Sequence, residues 1–287
     1  MSPYTKQWSS ATPGYLIFLV DQSGTMQNLY KGEKTAAQYT AEVINQTISE
    51  LISTNAAGET VKNRVFVSLI TYGGNNEITN VCSEYLSYYA ENPPKYGYDT
   101  FINEVNDGTG RMVKMEVKMP IFIKAKGAGL TPMSGAFGLA KKLIEGWIQK
   151  KNDNPVPVII NVSDGYPEAE TPELTIIETE RTVSTARDIM GLKTLDGNPL
   201  IFNVHIANNG NEIKFPEFTF ELNGDPMAEL LFKISSEVPI VYKQAAKDLD
   251  LKNIGANAKG FISNASPDTL LKFINFGSSG GVNRATN

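Results

Sequence analysis

The chain has 287 residues, of which 41% are hydrophobic and 20% are charged, so it can bury a large core and does not belong to the disordered class. Its formal net charge of −5 argues against a nucleic-acid surface, which is normally basic. The single cysteine, Cys82, excludes an internal disulfide and a multi-cysteine metal cage. No apolar run approaches the roughly 20 residues that span a bilayer, and the polar segment 1–13 lacks a secretion-signal pattern. We therefore expect a cytoplasmic protein that binds neither nucleic acid nor membrane.

Alternating strands and helices are predicted along most of the chain. Continuous apolar runs are typical of parallel strands covered on both faces, and they predict strands at 16–20, 64–72, 156–162 and 200–206. Apolar residues spaced three or four apart, with local capping signals, predict helices at 35–51, 131–147, 171–190, 228–235 and 267–276. Pro132 is expected at the first position of the second helix. This order implies right-handed crossovers and an α/β fold, in which a doubly wound, mostly parallel sheet carries helices on both faces.

The stretch 75–129 departs from this alternation. We interpret it as an insertion in a single domain that spans 14–276, between tails at 1–13 and 277–287. An Asp-Gly pair at 107–108 lies between segments of alternating polarity, a pattern that favours a hairpin. We therefore predict an antiparallel hairpin at the edge of the sheet. Either the insertion has a function of its own or it only shields that edge, and both interpretations stay open.

Oxygen-bearing side chains occur at three places where the loops of a doubly wound sheet converge. Asp21, Ser23 and Thr25 follow the first strand, Thr131 opens a helix, and Asp164 follows the 156–162 strand. Two carboxylates with neutral hydroxyls suit a hard divalent cation such as Mg²⁺, and Mn²⁺ is an alternative. Each piece alone is equally typical of turns and helix caps, which favour the same residue types. Their conjunction at converging loops favours a metal site.

These motifs resemble the metal-ion-dependent adhesion site of von Willebrand factor A (VWA) domains. They are Asp-Gln-Ser-Gly-Thr at 21–25, Gly-Ala-Gly-Leu-Thr-Pro-Met at 127–133 and Ser-Asp-Gly-Tyr-Pro at 163–167. The resemblance extends over about 14–276 and implies a Rossmann-like α/β fold. It also implies that Mg²⁺ is ligated, directly or through water, by Asp21, Ser23, Thr25, Thr131 and Asp164. The family most often has serine where this chain has Thr25.

The segment 228–239 resembles the bacterial intracellular branch of the VWA family, including the tellurite-resistance-associated group. Members of that branch often act beside a kinase, a phosphatase or an ATPase. The resemblance thus implies a non-enzymatic module for protein–protein interaction, with a stress, signalling or defence role in a bacterial cytosol. Such a module would bind an acidic residue of a protein partner through its metal ion.

Two enzyme classes are alternatives within the same fold class. A haloacid-dehalogenase-type phosphatase would use Asp21 as its nucleophile, but its second acid would stand at position 23, where this chain has Ser23. A dinucleotide-dependent enzyme is not favoured, because no Gly-x-Gly-x-x-Gly opens the first helix. The only histidine, His205, lies in an apolar strand. It cannot form a histidine metal cluster, and we interpret it as a packed core residue.

Overall fold

The computed structural model describes residues 3–30, 32, 34–92, 94–106, 111–207, 211–248, 251 and 254–278. Its elements, in chain order, are β1 Gly14–Gln22, α1 Ala36–Thr54, β2 Ala56–Ala57, β3 Thr60–Val61, β4 Val65–Gly73, β5 Glu77–Tyr85, α2 Leu86–Glu91, β6 Tyr98–Asn106, β7 Met112–Pro120, α3 Met133–Lys150, β8 Val158–Ser163, α4 Pro172–Gly191, β9 Leu200–His205, β10 Ile213–Lys214, α5 Pro226–Lys233, α6 Ile240–Asp248, β11 Phe261–Ser263 and α7 Pro267–Ser278. Short 3₁₀ turns occupy Gly24–Gln27 and Thr219–Leu222.

The main sheet has the strand order β10-β11-β9-β8-β1-β4-β5. Its centre is parallel, since β1 pairs in parallel with both β4 and β8, and β9 pairs in parallel with both β8 and β11. Antiparallel pairs close the two edges, β4 with β5 and β10 with β11. The predicted mostly parallel sheet is therefore confirmed. The chain order reverses at β1, and ligands of such sheets bind beyond the carboxyl ends of the strands at this switch point.

Helices cover both faces of the sheet, as predicted. Leu16 and Phe18 of β1 belong to the core cluster formed with α1, α6 and α7. Ile17 and Leu19, which point to the opposite face, belong to the cluster formed with α3, α4 and α5. Each of these four side chains is fully buried. The strand that leads to the candidate site is thus held between two cores, which gives its carboxyl end a rigid support.

Two local predictions are wrong. Helix α3 begins at Met133, so Pro132 lies at the N-cap and not in the first helical position. The predicted hairpin forms as β6 and β7, but these strands make a separate two-stranded sheet and are not at the edge of the main one. The edge beside β4 is already taken by β5, which the chain reaches first through a tight turn with positive φ at Gly73 and Gly74. The Asp-Gly turn at 107–108 lies outside the described residues.

The segment 3–13, predicted to be a tail, lies against the domain. The backbone N–H groups of Thr5 and Lys6 donate to Asp196 Oδ1 at 2.9 and 3.0 Å, and Trp8 packs against Gly14. The other predicted tail is 277–287, of which 279–287 lie outside the described residues. The domain limits of 14 and 276 stay a prediction. Across the described parts of the chain, no helix has the length and hydrophobicity needed to cross a membrane.

Candidate metal centre

Asp21 lies near the end of β1, and its side chain is buried. Its Oδ1 accepts a hydrogen bond from the backbone N–H of Ser23 at 2.8 Å, and its Oδ2 accepts one from the hydroxyl of Ser163 at 2.5 Å. Ser163 is the last residue of β8, the strand beside β1. The carboxylate is therefore held in place by the end of β8 and by the loop after β1. Ser163 was not among the predicted site residues.

The hydroxyls of the first loop connect Asp21 with the loop after β8. Ser23 is buried and Thr25 is exposed, and their hydroxyl oxygens lie 3.2 Å apart. The Thr25 hydroxyl also donates a hydrogen bond of 2.9 Å to Asp164 Oδ1, across 139 positions of sequence. The first and third predicted ligand sets therefore lie in direct contact.

Thr131 joins the same group from a third loop. Its backbone N–H donates to the carbonyl of Glu168 at 3.3 Å, and its carbonyl accepts from the N–H of Glu168 at 3.1 Å. Its side chain does not cap α3, since Pro132 occupies the N-cap. A Cβ built on Gly165 would lie 3.5 Å from Thr25 Oγ1 and 3.9 Å from Thr131 Oγ1, so both hydroxyls flank this glycine. The structure thus brings all five predicted site residues together.

Backbone hydrogen bonds connect the first loop with the loop before α3. Gln22 O accepts from the N–H of Ala128, and Gly129 O accepts from the N–H of Gly24, both at 2.9 Å. Position 129 also needs a glycine, because φ is +75° there and a Cβ would lie 2.6 Å from Asn76 Oδ1. The three loops are therefore joined to one another by backbone as well as side-chain bonds.

The surroundings of Asp21 and Asp164 disfavour the negatively charged form of both carboxylates. Burial, and then the nearby charge of Asp21, raise the pKa of Asp164 from 3.8 to about 7, against the opposing effect of the Thr25 hydrogen bond. Burial also raises the pKa of Asp21, against the hydrogen bonds from Ser163 and Ser23. Among the residues that the structure describes, no lysine or arginine forms an ion pair with either group. A cation between them would relieve both effects.

The donor set fits a hard divalent cation. It offers oxygen atoms only, from two carboxylates and three hydroxyls, which is the ligand type that Mg²⁺ and Mn²⁺ prefer. The described residues contain no group of three or more His, Cys, Asp or Glu side chains suited to a metal. A metal at this centre would therefore depend on Ser23, Thr25 and Thr131 as well as on the acids, and water would complete its coordination.

The chain matches no protein-family model and no curated protein sequence. Solved structures similar to it include the vWF domain of the type V pili tip protein Mfa5 from Porphyromonas gingivalis, at 10% identity and a TM-score of 0.49, covering 96% of this chain and 98% of that one. The PilB minor pilin from Streptococcus sanguinis is similar at 9% identity and a TM-score of 0.48, covering 97% of this chain and 62% of the pilin.

Proximal thread matrix protein 1 from the mussel byssus, with a zinc-occupied metal-ion-dependent adhesion site (MIDAS) motif, is similar at 10% identity and a TM-score of 0.45, covering 93% of this chain. This chain spans 40% of the mussel protein in one structure and 48% in the other. Because all of these TM-scores lie below 0.5, the likenesses carry no argument about ligands or function.

Proposed function

We propose that this chain is a VWA-type module for protein–protein interaction that binds Mg²⁺ through Asp21, Ser23, Thr25, Thr131 and Asp164. The observation that carries the proposal is the hydrogen bond between Thr25 and Asp164. It joins the first loop to the loop after β8, so that the five residues with candidate oxygen ligands lie together. A divalent ion held partly by neutral hydroxyls stays electrophilic, so it can accept a carboxylate from outside. That carboxylate would come from an Asp or Glu of a protein partner.

The chemistry of the centre supports binding over catalysis. The phosphatase alternative needs a general acid at position 23, and Ser23 is instead a buried hydroxyl beside Thr25. Asp21, its proposed nucleophile, has both carboxylate oxygens engaged in hydrogen bonds. Hydrolysis of a generic phosphoester in Mg²⁺, compared between wild type and Asp21→Asn, tests this alternative. Activity that the substitution abolishes would favour the enzyme.

Isothermal titration calorimetry tests the metal centre. We expect wild type to bind Mg²⁺ and Mn²⁺, and Asp164→Asn to bind both at least about tenfold more weakly, since one of two anionic ligands is lost. Glu168→Gln is the matched control, because Glu168 is exposed in the same loop and joins Thr131 through its backbone alone. Equal heats in wild type and Asp164→Asn would remove Asp164 from the coordination shell.

Selection from a displayed library of random short peptides tests the capture of an acid. Peptides selected on the wild-type chain in Mg²⁺ and released by a chelator should share an Asp or Glu. We propose a cytoplasmic location and a kinase, phosphatase or ATPase as the source of the natural segment, which co-purification with and without chelator would check. Peptides that bind equally well in chelator would contradict the metal-dependent mechanism.

A further inference from the structure

A cleft of about 750 Å³ adjoins the candidate metal centre. Thr25 and Asp164 line this cleft and belong to the metal centre as well, so the two sites are continuous. A volume of this size is typical of pockets that enclose a small molecule, and a single carboxylate does not need it. The cleft is therefore large enough to hold a second chemical group of the molecule whose acid reaches the metal centre.

A second carboxylate, that of Asp225, lines the cleft as the residue before α5. Its Oδ1 accepts hydrogen bonds from the backbone N–H groups of Met227 and Ala228, at 2.9 and 3.2 Å, and so caps the helix. The other oxygen, Oδ2, takes part in neither bond. Within the described ranges, Asp225 forms no salt bridge. Its negative charge is therefore available to a ligand.

His205, which also lines the cleft, provides an independent sign of a missing ligand. The side chain is 1% exposed, and its Nδ1 lies 2.9 Å from the hydroxyl of Ser263, but Nε2 has no hydrogen-bond partner in the described part of the protein. A buried polar atom without a partner is costly and calls for an explanation. Burial lowers the pKa of His205, against the opposing charge of Asp225, and so favours the neutral ring.

The remaining walls suit a long aliphatic stem. Leu29 and Met227 line the cleft with exposed fractions of 59% and 39%, and Pro226 and Ile206 add further apolar surface. The described lining residues include two aspartates and no lysine or arginine. Apolar walls with carboxylates match a side chain that has a hydrocarbon stem and a positively charged head.

We propose that the cleft binds an Arg or Lys side chain of the same partner segment whose acid reaches the metal centre. Asp225 would pair with the cationic head through Oδ2. The Nε2 of His205 would accept a further hydrogen bond in the tautomer whose Nδ1–H donates to Ser263. The partner motif would then contain an acidic and a basic residue at a constant spacing. This inference rests on the proposed function, because the acid at the metal centre positions the basic residue.

The peptide selection described above tests this inference through a separate readout. Chelator-released peptides should contain Arg or Lys at a constant distance from the shared acid. For one such peptide with arginine, replacing the arginine by glutamine should weaken binding to wild type about tenfold, as expected for a charge-assisted hydrogen bond. Asp225→Asn should reduce this preference to about threefold or less, while its amide oxygen still caps α5.

Glu229→Gln is the matched control, because it removes a charge from the first turn of α5 at a residue that does not line the cleft. It should keep the tenfold preference. Selected peptides that share an acid but no basic residue, or that share an apolar residue instead, would overturn this inference and leave the proposed function intact. The same preference in wild type and Asp225→Asn would also overturn it. If no peptide is released by chelator, the proposed function fails and this inference fails with it.

Discussion

Removing the charge of Asp164 should stabilise the metal-free protein. In the unfolded chain this carboxyl ionises near its ordinary value of 3.8, whereas in the folded protein burial and Asp21 raise its pKa to about 7. Between these two values the folded state binds more protons than the unfolded state. The free energy of unfolding therefore falls as pH rises through this window, by up to about 1.4 kcal/mol per pH unit. Above pH 7 the titration of Asp164 lowers the free energy of unfolding no further.

The size of the effect follows from the width of the window. About three pH units would correspond to about 4 kcal/mol, but Asp164 is only partly buried, and solvent screening reduces this to about 2 kcal/mol. Asp164→Asn has no charge to lose and keeps an oxygen to accept the bond from Thr25. At pH 8 without metal, the variant should therefore be more stable than wild type by about 2 kcal/mol.

Urea unfolding at pH 5 and pH 8, with chelator or with Mg²⁺, measures this difference. Mg²⁺ at about 100 times the wild-type Kd should stabilise wild type by about 2.7 kcal/mol, and a variant that binds tenfold more weakly by about 1.4 kcal/mol. The advantage of Asp164→Asn should therefore shrink from about 2 to about 0.7 kcal/mol. Glu168→Gln removes an exposed carboxylate of the same loop, and its stability should match that of wild type under each condition. Wild-type stability that is equal at pH 5 and pH 8 in chelator, or a metal-free variant that is less stable at pH 8, would refute this electrostatic account.

Three further substitutions, one of them with a matched control, test the candidate site and the packing around it. Thr131→Val keeps the side-chain shape but removes the hydroxyl, so calorimetry should show about tenfold weaker Mg²⁺ binding with little change in Tm. Gly73→Ala should destabilise the fold by about 1–3 kcal/mol in urea unfolding, since φ is +88° and a Cβ would lie 2.5 Å from the backbone nitrogen of Ser23. Gly138→Ala, in open space on α3, should instead be neutral or slightly stabilising. Asn45→Ala removes three buried hydrogen bonds to the backbone of a neighbouring segment and should lower stability by about 2–4 kcal/mol, with unchanged stability counting against this anchor.

The central sheet could be predicted because its strands are buried on both faces. β1, β4, β8 and β9 read as continuous apolar runs, and the structure places them side by side. β5 was missed because it is an edge strand, partly exposed along its length, and has no apolar run. The short strands β10 and β11 and the helix α6 also gave too weak a pattern. The position of the hairpin depended on which strand reaches the sheet edge first, and local sequence does not contain that information.

The candidate site was easier to predict than its support. The five ligand candidates stand out because oxygen-bearing side chains follow apolar runs or open helices, and the sheet order brings those positions together. Ser163 was missed because, as the residue before Asp164 at the end of an apolar run, it reads as part of a turn. Asp225 was missed because nothing in a sequence separates a helix cap from a cap that also lines a cleft.

Buried amides in the middle of apolar strands support the candidate metal centre. The hydroxyl of Tyr72 on β4 donates to Asn161 Oδ1 on β8 at 2.8 Å, and Asn161 Nδ2 donates to Asn203 Oδ1 on β9 at 2.9 Å. The two asparagines are register partners, so these bonds fix how three strands align. A one-residue slip would break the network and leave buried amides unpaired. Ser163 lies two residues beyond Asn161 on β8 and donates to Asp21, so the register that this network fixes also places Ser163 beside a candidate metal ligand.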